Sequence, residues 1–523
     1  MGAVRSEEEI RRLRACRQRL IEHLTGWVDP DGGVDSPCES RVLESALALP
    51  LLDAPGIGPD VRQPLRAYLE KARASAASRL DAVLATAALG LPVPNGSGLA
   101  REITKDIDHF TAGRKRVLLE AVLYAVGAID EVTPTPPDIF DAGDLQVWKQ
   151  VEMTACKVIL ARALGKQGEW IRHDDLGLLA SLLRPDRIWE GNILVHLMAL
   201  TALQRFPAYQ QQTLNGLAAL LAAQRPDGGF SLCSDMNVTI TALAATALAE
   251  AGADPALLDR MTDWLAARQD ATGGWVYNAA TTQTDVETTS FVMEALQSAP
   301  HPRYTEHLRR GYPYLCRMQN SDGGVPNYQH GNPSETSITG ETATILSTQP
   351  IHTAQVERAV RFIIDQQHAD GGFSLNWSAS DANVTLRACL GMQSAITYGR
   401  LQPPTEQAAR HAVRRSTDFL GSRQNSDGGW GRQPGEPSDP TSTAFALCTL
   451  SRTRPDHPAA ARAVTYLLNA QNPDGGFTAP PDTYSPRFIL IDFPILPSIY
   501  ALRALARPRA SARPTTAPPV SDT

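Results

Sequence analysis

Six times between residues 224 and 477 the chain writes the same turn. Gln224-Arg225-Pro226-Asp227-Gly228-Gly229-Phe230 recurs at Gln269 to Trp275, Gln319 to Val325, Gln367 to Phe373, Gln424 to Trp430 and Gln471 to Phe477. The first glycines stand at 228, 273, 323, 371, 428 and 475, and a spacing near fifty residues marks a repeat architecture. Each unit reads the same way. A helix ends at the glutamine, the glycine pair supplies the positive φ that other residues resist, the next large residue plugs the turn, and a second helix starts on a polar cap. The second helices, such as 238–248 and 442–450, are rich in Ala, Leu and Thr and should pack on nearly every side. The first helices carry the charges, as in Glu357-Arg358-Ala359-Val360-Arg361. Inner apolar and outer charged helices in six copies fit a closed α-α barrel. Pro30-Asp31-Gly32-Gly33, followed by a helix from Glu39, reads as an earlier, degenerate copy.

Ahead of the repeats, residues 5–27 read as an amphipathic helix with Ile10, Leu13, Leu20, Ile21 and Leu24 on its apolar face. From there to about 205, helical segments alternate with Pro- and Gly-bearing breaks, and no strand-like alternation appears. The expectation is an all-α chain of two α-α barrel domains. One spans 26–205. The other combines 1–25 with 206–506, and 507–523 form a disordered tail. A net charge of -7 and a pI near 5.9 argue against a nucleic-acid partner. Seven scattered cysteines without a CxxC pair fit a reducing compartment. The start lacks the apolar core of a signal peptide, and no apolar run approaches the roughly 20 residues that span a bilayer. These features predict a soluble, cytoplasmic protein with no transmembrane segment; they assign no oligomeric state.

One repeat carries something the others lack. After Gly273-Gly274-Trp275 comes Thr284-Asp285-Val286-Glu287-Thr288-Thr289, two carboxylates two residues apart where a loop becomes a helix. Alone, this is a helix N-cap. Crowded and shielded from water, two acids do not both ionise, and one keeps its proton near neutral pH. The matching positions in two other repeats, Asp235-Met236-Asn237 and Asp381-Ala382-Asn383, hold an amide where Glu287 stands.

The Q-x-x-D-G-G-(F/W) turns resemble those of the prenyltransferase and squalene-cyclase repeat family, and the layout resembles a bacterial class II terpene cyclase. The resemblance covers most of residues 26–506. Such enzymes carry a D-x-D-D or D-x-D-T-T signature whose middle acid protonates an alkene; Asp285, Glu287 and Thr288 occupy that place. Glutamate replaces the middle aspartate, which moves the carboxyl by about 1.5 Å. A misplacement of that order costs around a hundredfold in rate unless the pocket is reshaped to suit. Glu287 is thus either a working variant or a disabling substitution.

The resemblance implies cyclisation of a linear prenyl diphosphate, farnesyl or geranylgeranyl, to a bicyclic drimane- or labdane-type diphosphate that keeps its diphosphate. No D-D-x-x-D run with an N-S-E type partner is present, and Asp174-Asp175 is followed by Leu-Gly-Leu, so ionisation of the diphosphate is not expected. Aromatic walls stabilise carbocations without attacking them, which makes Trp275, Tyr277, Phe291, Trp377 and Tyr500 candidates, against their reading as repeat staples. Asn237 and Asn383 would bond the acid or cap their helices. Mg2+ would sit at Glu190 and Asn192, with Lys149, Lys157 and Arg41 on the phosphates. The rivals are a squalene-type cyclase, a protein prenyltransferase β-type subunit and a non-catalytic helical scaffold. Cys389 and Cys448 lack the D-x-C spacing that the prenyltransferase zinc site needs.

Overall fold

The turns set the geometry, and each residue of the repeat has a separate task. The computed structural model describes residues 7–53, 58–76, 78–93, 98–105, 111–143, 145–375, 377–485 and 489–506; the expected disordered tail lies outside them. In the third repeat, Asp322 Oδ1 accepts the N–H of Gly324 at 2.9 Å, which closes the turn. Gln319 Nε2 donates both to the carbonyl of Gly323 in its own turn (2.8 Å) and to that of Gln355 in the next outer helix (2.9 Å). The residue after the glycines donates its N–H to a hydroxyl one turn into the following inner helix. These bonds are Trp275 to Thr289, Val325 to Thr339 and Trp430 to Thr443, each at 2.9 Å. Glycine is required on two counts at Gly273: its φ is +93°, and a Cβ there would lie 2.3 Å from the carbonyl oxygen of Arg310.

Stapled in this way, six inner helices close a ring. Asn237–Ala251, Val286–Ser298, Thr336–Leu346, Asp381–Thr397, Pro440–Thr453 and Leu496–Leu505 pack each on the next, and the last returns to the first. Outside them stand Pro255–Ala266, Thr305–Met318, Thr353–Asp365, Pro403–Ser422 and Pro458–Ala470. The sixth outer place belongs to the first helix of the chain, Glu7–Thr25, which packs on Leu496–Leu505, Asn237–Ala251 and Pro458–Ala470. Gln471, the last repeat glutamine, donates to the carbonyl of Cys16 in that helix at 3.0 Å. The predicted six-fold barrel is present.

The degenerate turn also finds its inner helix, though not the one that follows it in sequence. Val34 donates to Thr241 Oγ1 (2.9 Å), and Trp264 Nε1 donates to Asp31 (3.0 Å), so residues 31–34 introduce Asn237–Ala251. In exchange, the turn at 228–230 introduces Val42–Leu52: Phe230 donates to Ser45 Oγ at 2.9 Å, and Gln224 donates to Val61 at 2.9 Å. The two crossing segments lie side by side, Pro37 opposite Asp235. Gln210–Ala222 accordingly packs on Ile193–Leu203 and His173–Leu182, among the earlier helices. The earlier helices make their own ring, with Ile193–Leu203 packing on both Val147–Ala163 and Val42–Leu52. One antiparallel pair, Thr483–Tyr484 with Leu490–Ile491, precedes the last inner helix, in a loop whose residues show no strand-like alternation. Among the described residues, no helix is long and apolar enough to cross a membrane.

Candidate active site

Where the N-terminal ends of the inner helices meet Val147–Ala163 of the first domain, the structure forms a partly open cavity. Glu287, in the first turn of Val286–Ser298, borders it.

Asp285 is the N-cap of that helix, its Oδ1 accepting the N–H of Thr288 at 2.7 Å. Its other oxygen, Oδ2, is buried without a hydrogen-bond partner, and the residue is only 2 % exposed. Burial raises the Asp285 carboxyl to about 7; the Thr288 bond pulls it down and neighbouring Glu287 pushes it back up. Burial also raises the Glu287 carboxyl, against the pull of Arg387. Both acids therefore hold protons more tightly than free carboxyls do. The cap and the acid readings of Asp285 coexist: Asp439 caps its own inner helix identically, accepting from Ser442 at 2.8 Å, but Thr441 stands where Glu287 would.

The loop before the acids is fixed to the first domain. Glu190 takes a φ of +54°, the one non-glycine positive φ among the described residues. Its carboxylate accepts from Thr282 N (2.8 Å) and Thr282 Oγ1 (2.6 Å). Gln283 accepts the N–H of Val147 at 2.8 Å. From the other side Asn327 accepts the N–H of Glu287 through Oδ1 (2.9 Å) and that of Val286 through its carbonyl (2.9 Å). Thr288 pairs with Thr239 Oγ1 at 2.9 Å, tying two inner helices together, and is not on the cavity wall.

The aromatic wall is partly the expected one. Tyr277 and Trp377 line the cavity. Trp148, Tyr328 and Trp377 form an edge-to-face series with centroids 6.3 and 6.1 Å apart. Trp275 does not belong to the wall. It is fully buried, its Nε1 donates to Leu265 at 2.7 Å, and it repeats the staple made by Trp430. Phe291 faces a second, smaller void one helical turn further along. Tyr500 packs on Phe445, centroids 4.6 Å apart, away from the wall. Asn237 and Asn383 neither line the cavity nor cap their helices.

Of the expected cations, Lys149 is paired with Glu152, whose side chain faces the cavity. Arg41 is held by Glu44 and donates to the carbonyl of Ser485, another wall residue, at 2.5 Å. Lys157 is elsewhere, bonded to Asp175 at 2.6 Å. As a metal pair Glu190 and Asn192 do not fit: Thr282 occupies both Glu190 oxygens, and Asn192 Oδ1 accepts from Val195 at 3.1 Å. No group of three or more His, Cys, Asp or Glu side chains arranged for a metal occurs among the described residues.

The residues missed from sequence are Trp148, Glu152, Asn327, Tyr328 and Arg387. For Tyr328 a signal was available, because Tyr277, Tyr328 and Trp377 each follow their glycine pair by three to five residues. Trp148 and Glu152 come from a domain without the repeat and carry no such mark.

Comparison with known proteins gives a consistent picture. Residues 192–389 match the prenyltransferase alpha-alpha toroid domain family, and residues 331–510 match the squalene-hopene cyclase C-terminal domain family. The chain is 37 % identical over 505 residues to a drimenyl diphosphate synthase of Streptantibioticus cattleyicolor, covering 94 % of each protein. It is 36 % identical over 514 residues to a drimenyl diphosphate synthase of Streptomyces showdoensis, covering 95 % of each. Among solved structures, the ent-copalyl diphosphate synthase of Streptomyces platensis shares the fold with a TM-score of 0.57 at 17 % identity, over 95 % of this chain and 99 % of that one.

Proposed function

Given that the chain belongs to the class II terpene cyclases, enzymes that cyclise a prenyl chain after protonating it, we propose that it converts farnesyl diphosphate to a drimenyl-type bicyclic diphosphate, with Glu287 as the acid. The observation that carries this reading is the Glu287 carboxyl, biased toward its protonated form by burial, on the wall of an aromatic-lined cavity. Farnesyl is favoured over geranylgeranyl by the names of the two relatives aligned along nearly the full chain.

Glu287 gives its proton to the distal alkene, assisted by Asp285, and two ring closures follow. Trp148, Tyr277, Tyr328 and Trp377 offer π faces to the cation and keep water out. A proton is then lost and the diphosphate retained. The headgroup would lie toward Glu152 and Ser485, with Lys149 and Arg41 behind them. Mg2+ is proposed to arrive with the diphosphate, since it binds few carboxylates plus phosphate and water. Glu152, with its side chain on the wall, suits it better than Glu190, and the ion would neutralise phosphate charge. We also propose a domain division at the paired crossings, near 36 and 233. It is supported by the contacts of Glu7–Thr25 and Gln210–Ala222.

Incubation with farnesyl or geranylgeranyl diphosphate and Mg2+, dephosphorylation and mass spectrometry tests the reading. A bicyclic C15 alcohol is expected. Cyclisation of the C20 substrate alone would overturn the chain length, and transfer to a CaaX peptide would overturn the class of reaction. Glu287→Ala should abolish turnover and Glu287→Asp should raise it; equal rates in all three proteins would remove Glu287 from the mechanism. Glu152→Gln should raise KM for the diphosphate and the Mg2+ concentration needed for half-maximal rate.

A further inference from the structure

Below the main cavity, the lumen of the second barrel is not apolar. On Val286–Ser298 the residues at i, i+3, i+4 and i+7 from Glu287 share one face, so Ser290, Phe291 and Glu294 follow Glu287 down the lumen. They line a second void, about large enough for one water, whose wall also includes Glu341 and Arg387. Arg387 Nε lies 3.1 Å from Glu341 Oε1, and the Glu341 and Arg387 side chains are only 6 % and 5 % exposed. Neither Glu341 oxygen makes a hydrogen bond, and Ser290 Oγ is likewise buried without one. Unsatisfied polar groups around a void are what ordered water occupies. The helices carrying the pair are held unusually close, because a Cβ on Gly340 would lie 2.3 Å from the carbonyl oxygen of Arg387.

The charges continue to the other end of the barrel. Glu294 pairs with Arg503, Arg503 with Glu250 at 3.6 Å, and Glu250 with Arg452 at 2.5 Å. Glu250 and Arg452 stand next to the last residues of their inner helices. A file of ionisable side chains thus runs from the acid to the opposite rim.

We propose that this polar lumen returns the proton that Glu287 spends in each cycle, with Glu341 as the donor. The proposal rests on Glu287 being the acid. When Glu287 has given its proton to the alkene it is a carboxylate at the bottom of a dry cavity. The O–H of neutral Glu341 breaks and one forms on Glu287, through water in the small void. Arg387, always cationic, then pairs with the Glu341 carboxylate left behind. Glu341 takes a proton from bulk water through solvent beside Glu294 and Glu250. The arginines of the file keep their own protons and hold these carboxylates in place. The quench of the terpenyl cation gives one proton back to solvent, so the cycle is neutral. The charged groups facing Glu341 are Arg387, Glu287, Glu294 and Arg503. Burial pushes its carboxyl well above the usual range, against the pull of Arg387, while Glu287 and Glu294 push it further.

The test separates one turnover from many. With Glu341→Gln, rapid quench under excess substrate should show a first turnover at the wild-type rate, about one product per enzyme. Steady-state turnover should then be 10- to 100-fold slower, with an enlarged solvent deuterium isotope effect on that slow phase alone. Glu341→Asp should retain most of the wild-type rate. A first turnover slowed as much as later ones, or an unchanged steady state, would overturn the relay. If Glu341→Gln does not fold, Glu341→Met carries the same comparison, with far-UV circular dichroism as the control. If Glu287→Ala kept its first turnover, the acid assignment itself would fail, an outcome distinct from losing only the relay.

Discussion

At the scale of single residues, the site turns on how a carboxyl responds to losing water. Asp285 is raised from 3.8 to about 7, so the fold prefers its protonated form. Its stabilising contribution is complete below pH about 4 and is lost as pH rises to about 7, above which an ionised, partly unbonded carboxylate stays buried. Asp285→Asn keeps the cap to Thr288 but cannot ionise. Its Tm should exceed that of the wild type at pH 8, and the gap should close toward pH 4, as a pH series of thermal melts would show. The same variant should lose cyclisation, and wild-type kcat should fall as pH rises through 7. Glu287 itself was legible because the matching positions in other repeats, Asn237, Asn383 and Thr441, are not acids. Arg387 was not, because a lone arginine on an apolar helix gives no sign of which lumen carboxylates it will meet.

At the scale of elements, the repeat is a set of staples, and each has a measurable share in stability. Glutamine reads in sequence as the end of a helix, yet its main task is to bond two carbonyls on separate elements at once. Removing that amide by Gln319→Ala should cost about 1–3 kcal/mol, since the buried Gly323 carbonyl and the half-buried Gln355 carbonyl lose their donor. Gly273→Ala should cost more than about 1 kcal/mol through its positive φ alone, and the clash with Arg310 adds to that. Urea unfolding midpoints of the two variants measure both effects. The Gly-Gly turns and the helical periods made the inner and outer helices readable, because those are local properties. Trp275 stayed open between staple and wall for the same reason: the sequence places an aromatic after the glycines but cannot tell a staple inside the ring from a wall residue above it.

At the scale of the molecule, the cavity lies where two barrels meet, so the part of its wall that comes from the first barrel lay beyond any repeat-based reading. Trp148 and Glu152 reach it from a helix whose sequence carries no turn signature. Glu190, expected to hold a metal, instead spans the two barrels by gripping Thr282. Glu190→Gln should weaken that grip and lower kcat with little change in far-UV circular dichroism. The exchanged turns were hidden too, because each sits in sequence directly before a helix it does not serve. Deleting residues 1–25 should deprive the second barrel of its sixth outer helix and of the Gln471 anchor. A broad, non-cooperative thermal transition is expected, confined to the repeat region in hydrogen exchange.

The exchanged turns also order events during synthesis. Glu7–Thr25 is made long before Leu496–Leu505, the inner helix it covers. At roughly 5–20 residues per second, its apolar stripe waits on the order of a minute for that partner. Meanwhile the earlier ring, complete once the turn at 228–230 has left the ribosome, can finish folding alone. The nascent chain would then carry a folded globule tethered to an unclaimed amphipathic helix, a form that chaperones bind and proteases cut.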